Sequence, residues 1–299
     1  MACPLCASPG ATRLYKLPED HETRRCTSCA FVYLWPRPTP EYLRQYYNSA
    51  PVYDLPSDVA SDYDNVVADK VSLIGGFLRR FPHLLTHGDA IDFGAGQGAT
   101  VKALGLLGFE AVGIEISEEA RKAAQALFGV KVRDGDLQDI PQNSLSFLCL
   151  FDVLEHLLQP KAFLELALTR LRDNAGCIVG VPNFNSLDRM MFGVQSKALI
   201  FPEHVNQFTL VTLRRVFESA GFDVLYIGSP PPYGVAISFG WRRKILKGLG
   251  RNAVTGSLNR MLTWCKRRII YPLPNLFVEK TGLLGQSLLI VATRARAIT

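Results

Sequence analysis

With 299 residues, 48% of them apolar, the chain is long enough to bury one large core with a small module beside it, and no apolar run reaches the roughly twenty residues that cross a bilayer. Seven cysteines are an odd number, four of them fall in two C-x-x-C pairs, and no charged and then apolar leader opens the sequence. The expectation is therefore a globular protein of the reducing cytoplasm whose cysteines serve a metal instead of disulfides.

Residues 1–37 read as a metal module. "CPLC" supplies Cys3 and Cys6, "CTSC" supplies Cys26 and Cys29, and nineteen residues separate the pairs. That spacing lets two knuckles share one tetrahedral ion, and four thiolates close the site, so the expected metal is a structural zinc. Residues 38–64 form a connector in which "PRPTPEYLRQYYN" predicts a turn leading into a short helix. Helical spacing of apolar residues returns in "NVVADKVSLIGGFLRRF". From there strand and helix signals alternate through "AIDFG", "ATVKALGLLG", "AVGIEIS", "EEARKAAQALFG", "VKVRDGD", "SLSFLCLFDVLEH", "PKAFLELALTRLR" and "GCIVGVPN". The alternation predicts a parallel sheet covered by helices on both faces, with Cys149 and Cys177 as packing residues in buried strands. "TLVTLRRVFESAGFDVLYIG" adds a helix and a strand, and "GQSLLIVATRA" a last strand, which makes residues 65–299 the second domain.

The loop "DFGAGQG" places glycine at 94, 96 and 98, behind Asp92 and around Ala95. Such a loop turns sharply, and the helix after it aims free amides at whatever is bound. A dinucleotide loop would carry G-x-G-x-x-G, whereas, counted from Gly96, Val101 fills the last of those positions here. Glu115 closes the next strand, where a carboxylate can accept both ribose hydroxyls, and Asp136 follows a third strand within reach of an exocyclic amine. Together these describe a pocket for an adenosine without a pyrophosphate.

"DFGAGQG", "GIEIS", "GDLQDIP" and "FDVLEHL" stand in the order in which the class I S-adenosylmethionine-dependent methyltransferases carry them, and the chain resembles that family from about Asn65 onward. The resemblance implies an α/β, Rossmann-like, doubly wound fold: a mostly parallel seven-stranded sheet with a final antiparallel strand. It implies S-adenosylmethionine as cofactor, with Gly94, Gly96 and Gly98 near its methionine part. Glu115 would take the ribose, Asp136 and Leu137 would frame the adenine, and Phe151 and Asp152 would line the edge; Asp92, Ala95 and Ile116 complete the expected set. The N-terminal stretch "RCTSCAFVYLWPRPTPEYLRQYY" resembles the zinc-ribbon front of a methyltransferase subgroup that includes sugar methyltransferases, with Ala30 where most members have glycine.

Two histidines are candidates for the base that methyl transfer needs. His156 lies in "DVLEH", where it is expected to open the helix after the fourth strand; His204 lies in "FPEHVNQFT", after the fifth. The Glu203–His204 pair resembles the Y-x-E-H element of zinc-ribbon sugar C-methyltransferases, but Phe201 and Phe208 replace its tyrosines, so oxygen methylation is expected. Glu203 would either hold the His204 imidazole or face solvent. Between Arg242 and Arg268 lie nine Lys or Arg residues, leaving about −3 for the rest of a chain of net charge +6. This stretch, within an insertion over about 234–280, suits either a solvated lid or a face for an anionic membrane at the inner side of the cell envelope. The expected partner is a small-molecule or lipid-linked acceptor: a sugar, a nucleotide sugar or a lipid-linked glycan. An RNA acceptor, a quinone or lipid precursor, and a binding protein without turnover are the alternatives. A ribbon with Arg13, Lys16, Arg24, Arg25 and Arg37 against Glu19, Asp20 and Glu22 is only mildly basic, which argues against nucleic acid.

Overall fold

The computed structural model describes residues 2–49, 60–229, 281 and 285–294. The basic stretch 241–268 lies outside the described residues. The N-terminal part forms three antiparallel strands, β1 (Ala11–Lys16), β2 (Glu22–Cys26) and β3 (Val32–Trp35), followed by the expected short helix α1 (Pro40–Ser49). The next helix, α2 (Ala60–Arg80), begins before the apolar spacing does.

The alternation then plays out as β4 (Gly88–Phe93), α3 (Ala99–Leu106), β5 (Phe109–Ile114), α4 (Glu118–Phe128), β6 (Val132–Arg133), β7 (Leu145–Phe151), α5 (Pro160–Arg170) and β8 (Leu171–Pro182). A short helix α6 (Leu187–Phe192) and a two-residue strand β9 (Asn206–Gln207) precede α7 (Leu210–Ser219), β10 (Phe222–Gly228) and β11 (Ser287–Arg294). The large sheet runs β10-β11-β8-β7-β4-β5-β6, and β11 is antiparallel to both its neighbours. The expected seven-stranded sheet with a final antiparallel strand is what forms. Among the described residues no helix is long and apolar enough to cross a membrane.

Side chains alternate across a strand, so a sheet covered on both faces needs apolar residues at odd and even positions alike. Leu148 and Leu150 of β7 pack on one face with Leu164 of α5 and Leu213 of α7. Phe147 and Cys149 pack on the other with Ile74 of α2 and Leu104 of α3. The chain winds from β4 toward β6 and then returns to β7 on the other side of β4. That reversal opens a crevice at the carboxyl ends of β4 and β7, where ligands bind in open α/β sheets.

The N-terminal strands are tied to this body. β9 comes from the connection after β8, yet it pairs with β3 through Val32 with Gln207 and Tyr33 with Asn206. The small sheet is therefore β1-β2-β3-β9, and Phe31 packs against Phe208 at 5.5 Å between ring centroids.

Candidate active site

At the end of β4 the N–H groups of Gly94 and Ala95 both donate to the Ile114 carbonyl, at 2.8 and 3.0 Å, folding the loop across β5. A Cβ on Gly94 would stand 2.4 Å from Val153 Cγ2, and one on Gly98 would stand 2.9 Å from Ala124 Cβ. Both residues also hold positive φ, +73° and +84°, so glycine is required there by backbone and packing together. Glu115 is buried, and its carboxylate is gripped from two sides: Gly96 N–H donates to Oε2 and Ser117 N–H to Oε1, each at 2.9 Å. Each oxygen keeps a lone pair, which suits an acceptor for two adjacent hydroxyls. Ile116, next in the chain, is 69% exposed, an apolar surface beside that acceptor.

Asp136 caps a short 3-10 turn, Leu137–Asp139, accepting from Gln138 N–H at 3.1 Å, so one of its oxygens already has a backbone role. Leu137 is fully buried among Ile91, Ile114 and Ile140, and its side chain cannot frame an adenine; only its backbone can.

A buried charge cluster sits at the crevice. Burial pushes the Asp92 carboxyl up to about 7, against the pull of the Lys70 ammonium and a hydrogen bond with Thr100. Lys70 reaches in from α2 with its ammonium 3.1 Å from the Phe151 ring centroid, and burial draws it below the usual lysine range. Asp152 follows at the end of β7 with φ +57°; surrounding protein raises its carboxyl, while Lys70 and His156 lower it. No sequence motif marks Lys70, although it lies three residues after Val67 and four before Ile74, on the buried stripe of its helix.

The two histidines meet. Their ring centroids are 5.0 Å apart, edge to face. His156 lies in the turn before α5 and not in the helix itself, and its Nδ1 faces the Glu203 carbonyl at 3.0 Å. His204 is 8% exposed with Nδ1 facing the Ala198 carbonyl at 3.1 Å. A carbonyl can only accept, so in His204 Nδ1 carries the proton and Nε2 the lone pair, while the His156 ring faces the backbone of both Glu203 and Asp152. Burial and the neighbouring His156 hold His204 down at about 4; burial lowers His156 as well. The Glu203 carboxylate does not hold the His204 imidazole. It accepts instead from the Tyr46 hydroxyl of α1 at 2.9 Å, so an aromatic hydroxyl missing from the local motif arrives from another element.

Asn206 and Arg37 clasp the two histidine segments together. Asn206 N–H donates to the Glu155 carbonyl at 2.9 Å, and its side-chain amide to the Leu157 carbonyl at 2.6 Å. Arg37 donates to the carbonyls of Val205 and Leu158 at 2.7 and 2.5 Å and to Asn206 Oδ1 at 2.9 Å. Burial lowers its guanidinium to about 10, which leaves it charged at neutral pH.

The four N-terminal cysteine sulfurs lie within 4.8 Å of one another, with Cys3 to Cys29 and Cys6 to Cys26 each 3.6 Å apart. Zinc–sulfur bonds of about 2.3 Å in a tetrahedron put sulfurs about 3.8 Å apart, so the donor set fits that ion. Cys149 and Cys177 are fully buried in the large sheet and take no part.

A curated relative named a probable S-adenosylmethionine-dependent methyltransferase, from Mycolicibacterium smegmatis, is 24% identical over 149 residues, 49% of this chain and 56% of that protein. The chain thus spans little more than half of that relative's length. Among solved structures, a candidate sarcosine dimethylglycine methyltransferase from Galdieria sulphuraria superposes with a TM-score of 0.51 at 15% identity, covering 76% of this chain and 86% of that one. A SAM-dependent methyltransferase from Archaeoglobus fulgidus gives 0.48 at 22% identity, over 75% and 94%. Because the family described as Methyltransferase domain matches residues 64–227, more than half of the sequence, the chain belongs to that family and has the class I S-adenosylmethionine-dependent methyltransferase fold.

Proposed function

We propose that the chain methylates a hydroxyl oxygen of a sugar, a nucleotide sugar or a lipid-linked glycan, using S-adenosylmethionine. When bound, that cofactor supplies a methyl group on a positively charged sulfur. In this reading Asp92, Gly94, Ala95, Gly96 and Gly98 receive its methionine part, and Glu115 accepts from the ribose. Ile116, Asp136 and the Leu137 backbone bound the adenine, and Phe151 and Asp152 form the rim toward the acceptor.

The observation that carries an oxygen acceptor is the pair of neutral imidazoles, of which His156 lies beside Asp152, each with Nδ1 turned to a carbonyl. In-line displacement at a methyl group mainly needs the acceptor positioned and its proton received. An imidazole held down at about 4 is a weak base. It serves a hydroxyl, whose proton leaves as the new bond forms, far better than a carbon acid that must ionise first. His204 therefore orients the hydroxyl and takes its proton late, while Glu203, held by Tyr46, keeps the segment in place. An apolar strip on the connection to His204, with Met190, Met191, Phe192, Val194 and Ile200 exposed, supports an acceptor with a lipid portion. The zinc of the four cysteines is structural.

Turnover assays over nucleotide sugars, polyprenyl-linked sugars and phenolic quinone precursors test this reading. His204→Ala is expected to lower turnover about a hundredfold, the contribution of a positioned base, with cofactor affinity kept. A His156→Ala variant that loses turnover beside a His204→Ala variant that keeps it would transfer the role to His156. Calorimetry showing no binding of S-adenosylmethionine would remove the reading altogether.

A further inference from the structure

We propose that Glu155, His156 and His204 form a second metal site, separate from the four cysteines, for a divalent cation that accepts nitrogen and oxygen ligands, such as zinc, cobalt or iron(II). One ligand atom from each of the three lies within 4.8 Å of the others. Glu155 is the sharper observation. It is 1% exposed, and neither carboxylate oxygen has a hydrogen-bond partner. A carboxylate buried without a partner is strongly unfavourable, and proteins resolve that by a cation or by a proton. His156 Nε2 stands 3.9 Å from Glu155 Oε1, too far for a hydrogen bond. Two ligands on one tetrahedral cation lie about 3.4 Å apart for metal–nitrogen and metal–oxygen bonds of about 2.0 to 2.2 Å, so side-chain movements of about 1 Å close the site.

The imidazoles are already set for coordination. Metal-binding histidines characteristically direct the ring nitrogen away from the metal at a carbonyl or carboxylate, which fixes ring and tautomer. His156 and His204 do so toward Glu203 and Ala198. The Asn206 and Arg37 contacts hold the two segments in register around the three side chains. Three protein ligands leave a coordination position for water or for an acceptor oxygen. A bound cation would occupy the Nε2 lone pair of His204, so the cation, by acidifying an acceptor hydroxyl whose proton then passes to solvent, would replace the imidazole as the activating group. The site rests on the oxygen-methylation reading for its purpose, although cation binding itself does not depend on turnover.

Cobalt(II) titration of the metal-free, full-length chain is the test, because thiolate ligation gives intense charge-transfer absorption and nitrogen–oxygen ligation gives only weak d–d bands. Two equivalents are expected, one of each kind. Glu155→Gln should lose the second equivalent and retain the first, and His204→Ala should do the same. A single, thiolate-type equivalent in the unsubstituted chain overturns the proposal and means that Glu155 is simply a protonated acid. A second equivalent that survives both substitutions overturns it too. Should Glu155→Gln not fold, the unsubstituted chain and His204→Ala decide. A chain that binds two cations and methylates nothing keeps this site and loses the function proposed above; a chain that methylates with only the thiolate cation does the reverse.

Discussion

Glu115 is a structural residue as well as a candidate ligand residue. Its carboxylate joins the glycine loop to the start of α4 through Gly96 and Ser117, so in the ribose-binding role proposed for it the acceptor would be pre-positioned by the same bonds that shape the loop. Glu115→Ala is expected to leave both amides unsatisfied and to weaken cofactor binding by about 1.5 to 3 kcal/mol, as for hydrogen bonds to a charged group; calorimetry beside a thermal melt reads both effects. Asp92 makes a pH-dependent prediction. The groups facing it are Lys70 of α2, Thr100 of α3, Glu115 after β5, and Cys149 of β7. Its carboxyl titrates near 7 in the fold against the ordinary value of 3.8. Between those values the folded chain holds a proton that the unfolded chain has released, so this group's contribution to stability declines as pH rises through that window. A cationic cofactor favours the ionised carboxylate. Affinity for S-adenosylmethionine should therefore fall about tenfold per pH unit below about 7 and level off above it. Calorimetry in two buffers of different ionisation enthalpy should show about one proton released on binding at pH 6, and a flat affinity from pH 5.5 to 8 would remove Asp92 from the site.

The two cysteine knuckles show how a local backbone demand can be met by the wrong residue. Ala7 and Ala30, each directly after the second cysteine of its pair, hold φ of +58° and +61°. A side chain in the left-handed region costs about 1 to 2 kcal/mol, and glycine escapes that penalty at some loss of chain entropy. Ala30→Gly is expected to stabilise the chain by about 1 kcal/mol, measured by denaturant unfolding with and without added zinc. The large elements were legible in the sequence for a physical reason: strands buried on both faces, such as Leu145–Phe151, are continuous apolar runs, and the glycine loop and cysteine pairs have spacings that few other structures require. Lys70 could have been found by applying the helical period to its neighbours. β9 could not, because two residues carry no period and Asn206 and Gln207 acquire their strand only from β3. Nor could Tyr46, whose hydroxyl meets Glu203 across 157 positions of sequence, or the unpartnered state of Glu155, since an acid before a histidine reads equally well as surface.

At the scale of the whole molecule, the N-terminal strands and the histidine pair form one mechanical unit. β3 pairs with the strand that begins two residues after His204, Arg37 spans from the ribbon to both histidine segments, and Arg215 of α7 donates to the Cys29 carbonyl at 3.0 Å. The cofactor loop is held by a different set of contacts, to Ile114, Glu115 and Ser117. Damage to the ribbon should consequently separate two properties that an active-site substitution would alter together. In Cys26→Ser, which removes one thiol of the four-cysteine cluster, hydrogen exchange should accelerate at residues 32–35 and 204–208, turnover should fall, and affinity for S-adenosylmethionine should stay within about threefold, or under 1 kcal/mol. Arg37→Met leaves the cysteines intact but removes every bond from the guanidinium to the carbonyls of Leu158 and Val205. It should reproduce the same split at a stability loss of about 1.5 to 3 kcal/mol. If both variants retained full turnover with a loosened ribbon, the ribbon would be a passenger on the methyltransferase domain; a matching loss of turnover in both would make it the brace that holds His204 against His156.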